Sequence, residues 1–218
     1  MGLIFSDGIT KDIEVISKEQ EYIKYIVEHI NNVNRAYIEL FKGRTFDHVE
    51  IEFENGEKLS IDTLAMDQII KDLELEVKAH DLTKFSNEEF PAYRMRFFPT
   101  DTEKKQMEAD SDYAASVEAS FQAAWEHHYH ENKHHANYWM YELDDNGEYK
   151  LLDTPIVMPV VDILHMICDW SAMSIKFQNT NSPVDWYIND ADKEKGYMHP
   201  NTRKIVEYFL NILFDAKL

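Results

Sequence analysis

The stretch DTLAMDQIIKDLELEVKAHDLTK, residues 62–84, joins an amphipathic helical pattern to a pair of polar side chains. Asp62 or Thr63 can cap the start of a helix. Apolar residues then recur at the spacing of one inward helix face: Leu64, Ile69, Leu73 and Val77. His80 continues that face, with Asp81 beside it, and a buried imidazole or carboxylate must be paired or coordinate a metal. The stretch therefore predicts a helix that delivers polar side chains to a buried site.

Further segments with helical spacing lie on both sides of this stretch. They are residues 17–42, residues from Ser111 into the histidine cluster, residues 160–177 after Pro159, and IVEYFLNILF with Asn201 as its cap. Asn-Gly pairs at 55–56 and 146–147 predict hairpins with two-residue turns at about 48–61 and 139–152. Residues 179–200 have the composition of a long loop. We expect a mainly α fold, a helical bundle with one or two small hairpin insertions.

The bulk composition narrows the classes of protein. The chain has 218 residues and no linker-like segment, which predicts a single domain over residues 1–218. Its formal charge of −19 argues against nucleic-acid binding, and its apolar runs are too short to span a membrane. A single cysteine and the lack of a signal peptide make the cytoplasm the expected compartment. A small anionic substrate would need a local cation, and a bound metal is the simplest one.

Half of the ten histidines lie in HHYHENKHH, residues 127–135. His128 follows Trp125 by three residues and so lies on the apolar face of its helix, whereas His127 and His130 fall off that face and should be exposed to solvent. His29 lies on the buried face of the first helix, between Ile26 and Val33. The helix after Pro159 carries three polar residues on one stripe: Asp162, His165 and Asp169.

Four helices that each direct an acid or an imidazole inward favour a metal site over a set of unrelated buried side chains. Each buried polar group costs a few kcal/mol if it is left unsatisfied, and one divalent cation would satisfy several of them together. Imidazole with carboxylate suits Mn, Fe, Co, Ni or Zn, as one or two ions.

The order of these residues resembles the H…HD…H…H…D signature of the HD-domain superfamily, whose helical bundle holds one or two metals. HDLTK, residues 80–84, is similar to the HDIGK form of many members. In a narrower sense, HDLTKFSNEEF, residues 125–139 and MPVVDILHMICDWSAM resemble a family of uncharacterised bacterial and phage proteins. The resemblance implies that the primary metal is held by His29, His80, Asp81 and Asp169. It also implies that His128, with His134 or His135, holds a second metal or faces the leaving group.

This resemblance implies a metal-dependent phosphohydrolase that uses metal-activated water on a nucleotide or a similar small phosphoester. Asp81 and Lys84 would be the catalytic residues, with Lys84 at the position of the phosphate-contacting lysine. Tyr93 and Arg94 could bind the substrate by stacking on a base and contacting phosphate, or they could belong to a packing helix with exposed arginines. The chain would need no nucleic acid or membrane partner, and it could form a homo-oligomer.

Three other functions remain open from the sequence. The same ligands occur in di-iron oxygenases on HD-type bundles. A non-catalytic protein could use the site to bind a metal or to sequester a nucleotide, for instance a host signal bound by a phage protein. The histidine cluster alone could act as a pH switch.

Overall fold

The protein is mainly helical, as expected. The computed structural model describes residues 7–176 and 182–218. Its helices are α1 Asp7–Leu40, α2 Thr63–Lys78, α3 Phe90–Phe97, α4 Asp101–Ala109, α5 Ser111–Glu131, α6 Val160–Lys176, α7 Pro183–Asn189, α8 Asp192–Tyr197 and α9 Pro200–Phe214. Two antiparallel hairpins, β1 Val49–Glu52 with β2 Lys58–Ile61 and β3 Tyr141–Leu143 with β4 Tyr149–Leu151, are the insertions that the Asn-Gly pairs predict.

The chain divides into two compact units. The first combines the described residues up to Glu28 with Asp81–Glu131, and the second combines His29–His80 with Asn132–Leu218. The prediction of one domain over the whole chain stays a prediction. Each unit therefore consists of two separate stretches of sequence, and the first boundary, between Glu28 and His29, lies within α1.

Aromatic packing and an ion pair between α3 and α4 help to hold the first unit together. Tyr22 of α1 contacts Phe90 and Phe98 at ring-centroid distances of 5.1 and 5.6 Å. Arg94 of α3 donates two hydrogen bonds to the Glu103 carboxylate of α4. Glu103 also forms a capping box with Thr100, which starts α4.

The second unit has a conventional apolar core. Leu73 of α2, Ile163 and Ile167 of α6, and Phe209 of α9 are fully buried together. The β1–β2 hairpin adds to this core, since its inward residues are buried in the same cluster: Val49, Ile51 and Ile61. This core fixes α2 and α6, the helices that carry much of the candidate site.

The structure corrects three details of the helix prediction. Leu64 is 81% exposed, because the inward face of α2 is formed by Met66, Ile70, Leu73 and Val77. Part of the segment that resembles a loop is helical: α7 begins with a capping box between Ser182 and Asp185, and α8 follows it. The cap of α9 is the side chain of His199, which accepts a hydrogen bond from the Asn201 amide, so Asn201 is inside the helix.

The hairpin turns also differ from the predicted two-residue type. Phe53 N–H donates to Glu57 C=O and Gly56 N–H donates to Phe53 C=O, which closes a three-residue loop with a bulge at Gly56. Gly56 has φ 82° while Asn55 keeps a negative φ, whereas the predicted turn needs both residues at positive φ. The second hairpin repeats this arrangement at Gly147.

Within the described residues, no helix is long and apolar enough to cross a membrane.

Candidate metal centre

Five side chains of the second unit form what we call the imidazole cluster: His29, His80, His134, His165 and Asp169. They come from α1, from the residue after the C-cap of α2, from the segment after α5, and from α6. His165 and Asp169 are four residues apart on α6 and therefore share one face of that helix. The four imidazoles are buried, whereas the Asp169 side chain is 18% exposed, so solvent reaches the cluster at this carboxylate.

A single metal ion fits between three of these side chains. His29 Nε2 lies 3.0 Å from His80 Nε2 and 3.1 Å from Asp169 Oδ1, and His80 Nε2 lies 3.7 Å from Asp169 Oδ1. The circle through three such atoms has a radius of about 1.9 Å, so a point about 2.0–2.1 Å from all three exists just off their plane. That distance is the usual bond length from a first-row metal to imidazole nitrogen or carboxylate oxygen.

The remaining imidazoles lie on the other edge of His80. His80 Nδ1 is 2.9 Å from His165 Nε2, and the His134 ring lies 4.6 Å from the His80 ring and 4.4 Å from the His165 ring. His80, His134 and His165 can each offer a ligand atom within 4.8 Å of one another, which makes them a second group able to hold an ion. The residues present therefore fit one ion or two.

A chain of hydrogen-bonded imidazoles is the structural alternative to a metal. A neutral imidazole donates through one nitrogen and accepts through the other, so His80 could link His29 to His165 without an ion. This arrangement gives no role to the Asp169 carboxylate, whose Oδ1 lies 3.1 Å from His29 Nε2 and 3.7 Å from His80 Nε2. The donor set, imidazole nitrogen with one carboxylate oxygen, is the one that transition metals prefer. The cluster could therefore hold a metal ion.

The first unit contains a separate set of paired side chains, which we call the Glu89 network: Asp81, Lys84, Glu89, His127 and His128. Asp81 has a left-handed backbone, φ 55°, where the chain enters the short 3-10 helix Leu82–Phe85. Lys84 Nζ donates to Asp81 Oδ2 at 2.5 Å, and His128 Nε2 lies 3.3 Å from Asp81 Oδ1.

Glu89 is the functional candidate that the sequence did not reveal. Its carboxylate is fully buried and lies 2.9 Å from His127 Nδ1 and 2.8 Å from His128 Nδ1. Burial by itself raises the pKa of Glu89, but the hydrogen bonds from His128 and His127 outweigh burial and lower it. Burial lowers the pKa of His128 and the Asp81 and Glu89 carboxylates raise it, with a net increase. His128 is thus held between two carboxylates. A histidine that ligates a metal is often oriented by a carboxylate in the same way.

The other predicted residues are distributed as follows. His130 is buried, contrary to the expectation of solvent exposure, and His127 is half-buried because it pairs with Glu89. His128 and His130 are both buried in the last turn of α5, so that turn is covered on more than one side. His135, in the second unit, lies beside His134 with their ring centroids 4.3 Å apart.

Two predicted substrate-binding residues have different surroundings. Arg94 is buried in an ion pair with Glu103. This agrees with the alternative that α3 is a packing helix, but that alternative expected its arginines to be exposed. The Tyr93 ring lies 5.8 Å from the Lys84 ammonium, within the range of a cation–π contact.

A protein-family model described as a family of unknown function, DUF5662, matches residues 18–212. The chain belongs to the DUF5662 family. No curated protein and no solved structure matches it. The DUF5662 match includes the whole imidazole cluster and the whole Glu89 network, but the description of the family assigns no activity to either.

Proposed function

We propose that this DUF5662 chain is a metal-dependent phosphohydrolase with an HD-like site that acts on a nucleotide or a similar small phosphoester. The observation that supports it most strongly is the triangle of His29 Nε2, His80 Nε2 and Asp169 Oδ1, whose sides match the ligands of one ion. A divalent ion held there would supply Lewis acidity toward a phosphoryl oxygen and would make water more acidic.

The protein's own residues would divide the remaining work. His29, His80 and Asp169 would hold the ion, with His134 and His165 as ligands of the same ion or of a second one. Glu89 would keep hydrogen on His128 Nδ1, and the Asp81 carboxylate 3.3 Å from Nε2 favours a second hydrogen there, which His128 could deliver to a leaving group. Lys84 would place a positive charge where a phosphoryl oxygen needs one. That Asp81, His128 and His135 complete the same centre stays a prediction.

The protein as a whole repels anions, so the cations of the site must account for anionic substrates. With a formal charge of −19, long-range attraction of a polyanion is unfavourable, and a small phosphoester is the better substrate. We therefore propose a small-molecule substrate, without a nucleic-acid partner.

Metal analysis of the untagged chain, paired with a phosphate-release screen, tests this function. The screen covers nucleoside mono-, di- and triphosphates and cyclic dinucleotides. We expect about one or two transition-metal ions per chain and release of phosphate or opening of a phosphodiester. His80→Ala should lose the metal and the activity, whereas His48→Ala, an exposed histidine outside the cluster, should keep both.

Each contrary outcome of that experiment has a distinct meaning. Full metal content in His80→Ala would contradict the site. Bound metal with unchanged phosphoesters after prolonged incubation would contradict hydrolysis and support a binding protein. Iron with oxygen consumption would instead support the oxygenase chemistry that the resemblance also allows.

A further inference from the structure

The first unit contains a pocket with almost entirely aromatic walls. Its volume is about 370 Å³, and its lining residues are Tyr22, Tyr25, Lys84, Tyr93, Phe97 and Phe98. Lys84 is the one charged residue in this set. The volume is within the range of small-molecule sites, and it is large enough for one substituted ring.

Two of these walls carry buried polar atoms. The hydroxyls of Tyr22 and Tyr93 are buried and have no hydrogen-bond partner among the described residues. A phenol is neutral near pH 7, so both hydroxyls can donate a hydrogen bond. A buried hydroxyl without a partner costs about 1–3 kcal/mol, a cost that a bound acceptor would remove.

We propose that this pocket binds a planar aromatic ring that carries an oxyanion. The ring would stack among the tyrosine and phenylalanine rings, and the oxyanion would lie at the Lys84 ammonium within reach of the Tyr22 and Tyr93 hydroxyls. The proposal stands on the first unit alone and does not depend on metal chemistry in the second.

Simpler ligands use only part of the pocket. A hydrocarbon would bury the rings but would leave the two hydroxyls unsatisfied and the ammonium without a new counter-charge. An aliphatic anion would use Lys84 but would gain nothing from five aromatic walls, each of which adds contact area and ring–ring attraction. A ligand with both features matches all the lining groups.

The test measures binding to the full-length chain treated with a chelator, by isothermal titration calorimetry. Phenylphosphonate is the main probe, because its carbon–phosphorus bond is not a phosphoester. Benzyl alcohol supplies the ring without the charge, and methylphosphonate supplies the charge without the ring. We expect phenylphosphonate to bind about tenfold more tightly than either partial probe. Equal affinities for phenylphosphonate and methylphosphonate, or no saturable binding, would overturn the proposal.

Variants locate the binding in this pocket. Phe97 is 54% exposed, so Phe97→Ala should leave the fold intact and weaken phenylphosphonate binding by about tenfold. Phe85→Ala is the matched control, since Phe85 is 41% exposed in the same unit and does not line the pocket. Tyr93→Phe keeps the ring and removes one hydroxyl, and it should weaken binding severalfold. If Phe97→Ala and Tyr93→Phe both bind as the unchanged chain does, the assignment to this pocket is wrong.

Two more probes identify the oxyanion, and they separate this inference from the proposed function. Phenyl phosphate and benzoate compare a phosphate with a carboxylate on the same ring, and tighter binding of either one supports the pocket with that anion. The metal-free chain could bind these ligands and yet release no phosphate once its metal is restored. That result would contradict the proposed hydrolase but would support the pocket.

Discussion

Glu89 is a fully buried carboxylate that accepts hydrogen bonds from two successive histidines. The helical spacing from Phe121 and Trp125 predicted that His128 is buried, and the structure confirms it. The same reasoning could not find Glu89, because it lies 39 residues before His128 and the local sequence there has no regular pattern. At this scale the sequence predicts which side chains are buried better than it predicts their partners.

Replacing Glu89 with Gln should destabilise the protein. A glutamine keeps one acceptor but presents an amide NH₂ to a histidine nitrogen that also donates, and it removes the charge that offsets the burial of His128. We expect the free energy of unfolding in urea to fall by about 2–3 kcal/mol. Glu88→Gln, a change at the exposed neighbouring residue, should have an effect below about 0.5 kcal/mol. Equal stabilities of the two variants would mean that the Glu89 network contributes little.

Asp162 on α6 should make stability depend on pH. Burial raises the pKa of Asp162 and the positive charge of Lys133 lowers it, with a net pKa of about 6. The folded state therefore binds a proton on the Asp162 carboxyl more tightly than the unfolded state does. The stability from this group is complete below the unfolded pKa of about 4 and is lost as the pH rises through 6.

In metal-free protein, Asp162→Asn should therefore stabilise the fold at pH 7 by about 1–2 kcal/mol, with solvent screening allowed for, and should have little effect at pH 4. Urea denaturation at the two pH values measures the difference. Asp145→Asn, which changes an exposed carboxylate in the β3–β4 turn, is the control. A stabilisation of Asp162→Asn that is the same at both pH values would contradict the assignment of a raised pKa.

Helix α2 shows what a periodic pattern settles and what it leaves open at the scale of an element. Asp62 caps the helix as expected, through a hydrogen bond from the Ala65 amide. The inward face agrees with the pattern at Leu73 and Val77 but not at Leu64, because in the first turn of α2 the core is contacted by Met66, which is fully buried. Periodicity predicts that one face of a helix is buried, whereas the neighbouring elements decide which residues at its end belong to that face.

Two leucine substitutions in α2 measure this difference. Leu73 is fully buried, so Leu73→Ala should lower the free energy of unfolding by about 2–5 kcal/mol. Leu64→Ala removes the same atoms from a side chain that is 81% exposed, and its effect should be below about 0.5 kcal/mol. Similar losses for the two variants in chemical denaturation would contradict the position of α2 in the core.

At the scale of the whole molecule, the imidazole cluster gathers residues that are far apart in the sequence. His29 and Asp169 are separated by 140 positions, and both lie close to His80. The unfolded chain cannot hold these side chains together, so an ion bound by the cluster should stabilise only the folded state.

Metal removal should therefore lower the melting temperature of the protein. At a free metal concentration 100 times the dissociation constant, binding contributes about 2.7 kcal/mol. Differential scanning calorimetry with and without a chelator measures the shift, and restoring Mn²⁺, Fe²⁺ or Zn²⁺ should reverse it. His29→Ala should remove most of the shift, while His48→Ala should keep it. A chelator-induced shift that persists in His29→Ala would place the metal elsewhere.

The sequence by itself determined the mainly α class, the positions of both hairpins and the inward direction of His29, His80 and His128. These features depend on local periodicity, capping and turn residues, which a reader of the sequence can count. The tertiary structure decided that His165 joins the cluster, that Glu89 pairs with His127 and His128, and that Arg94 is buried against Glu103. Each of these contacts joins separate elements. The distance between elements depends on packing, and a local sequence pattern does not predict it.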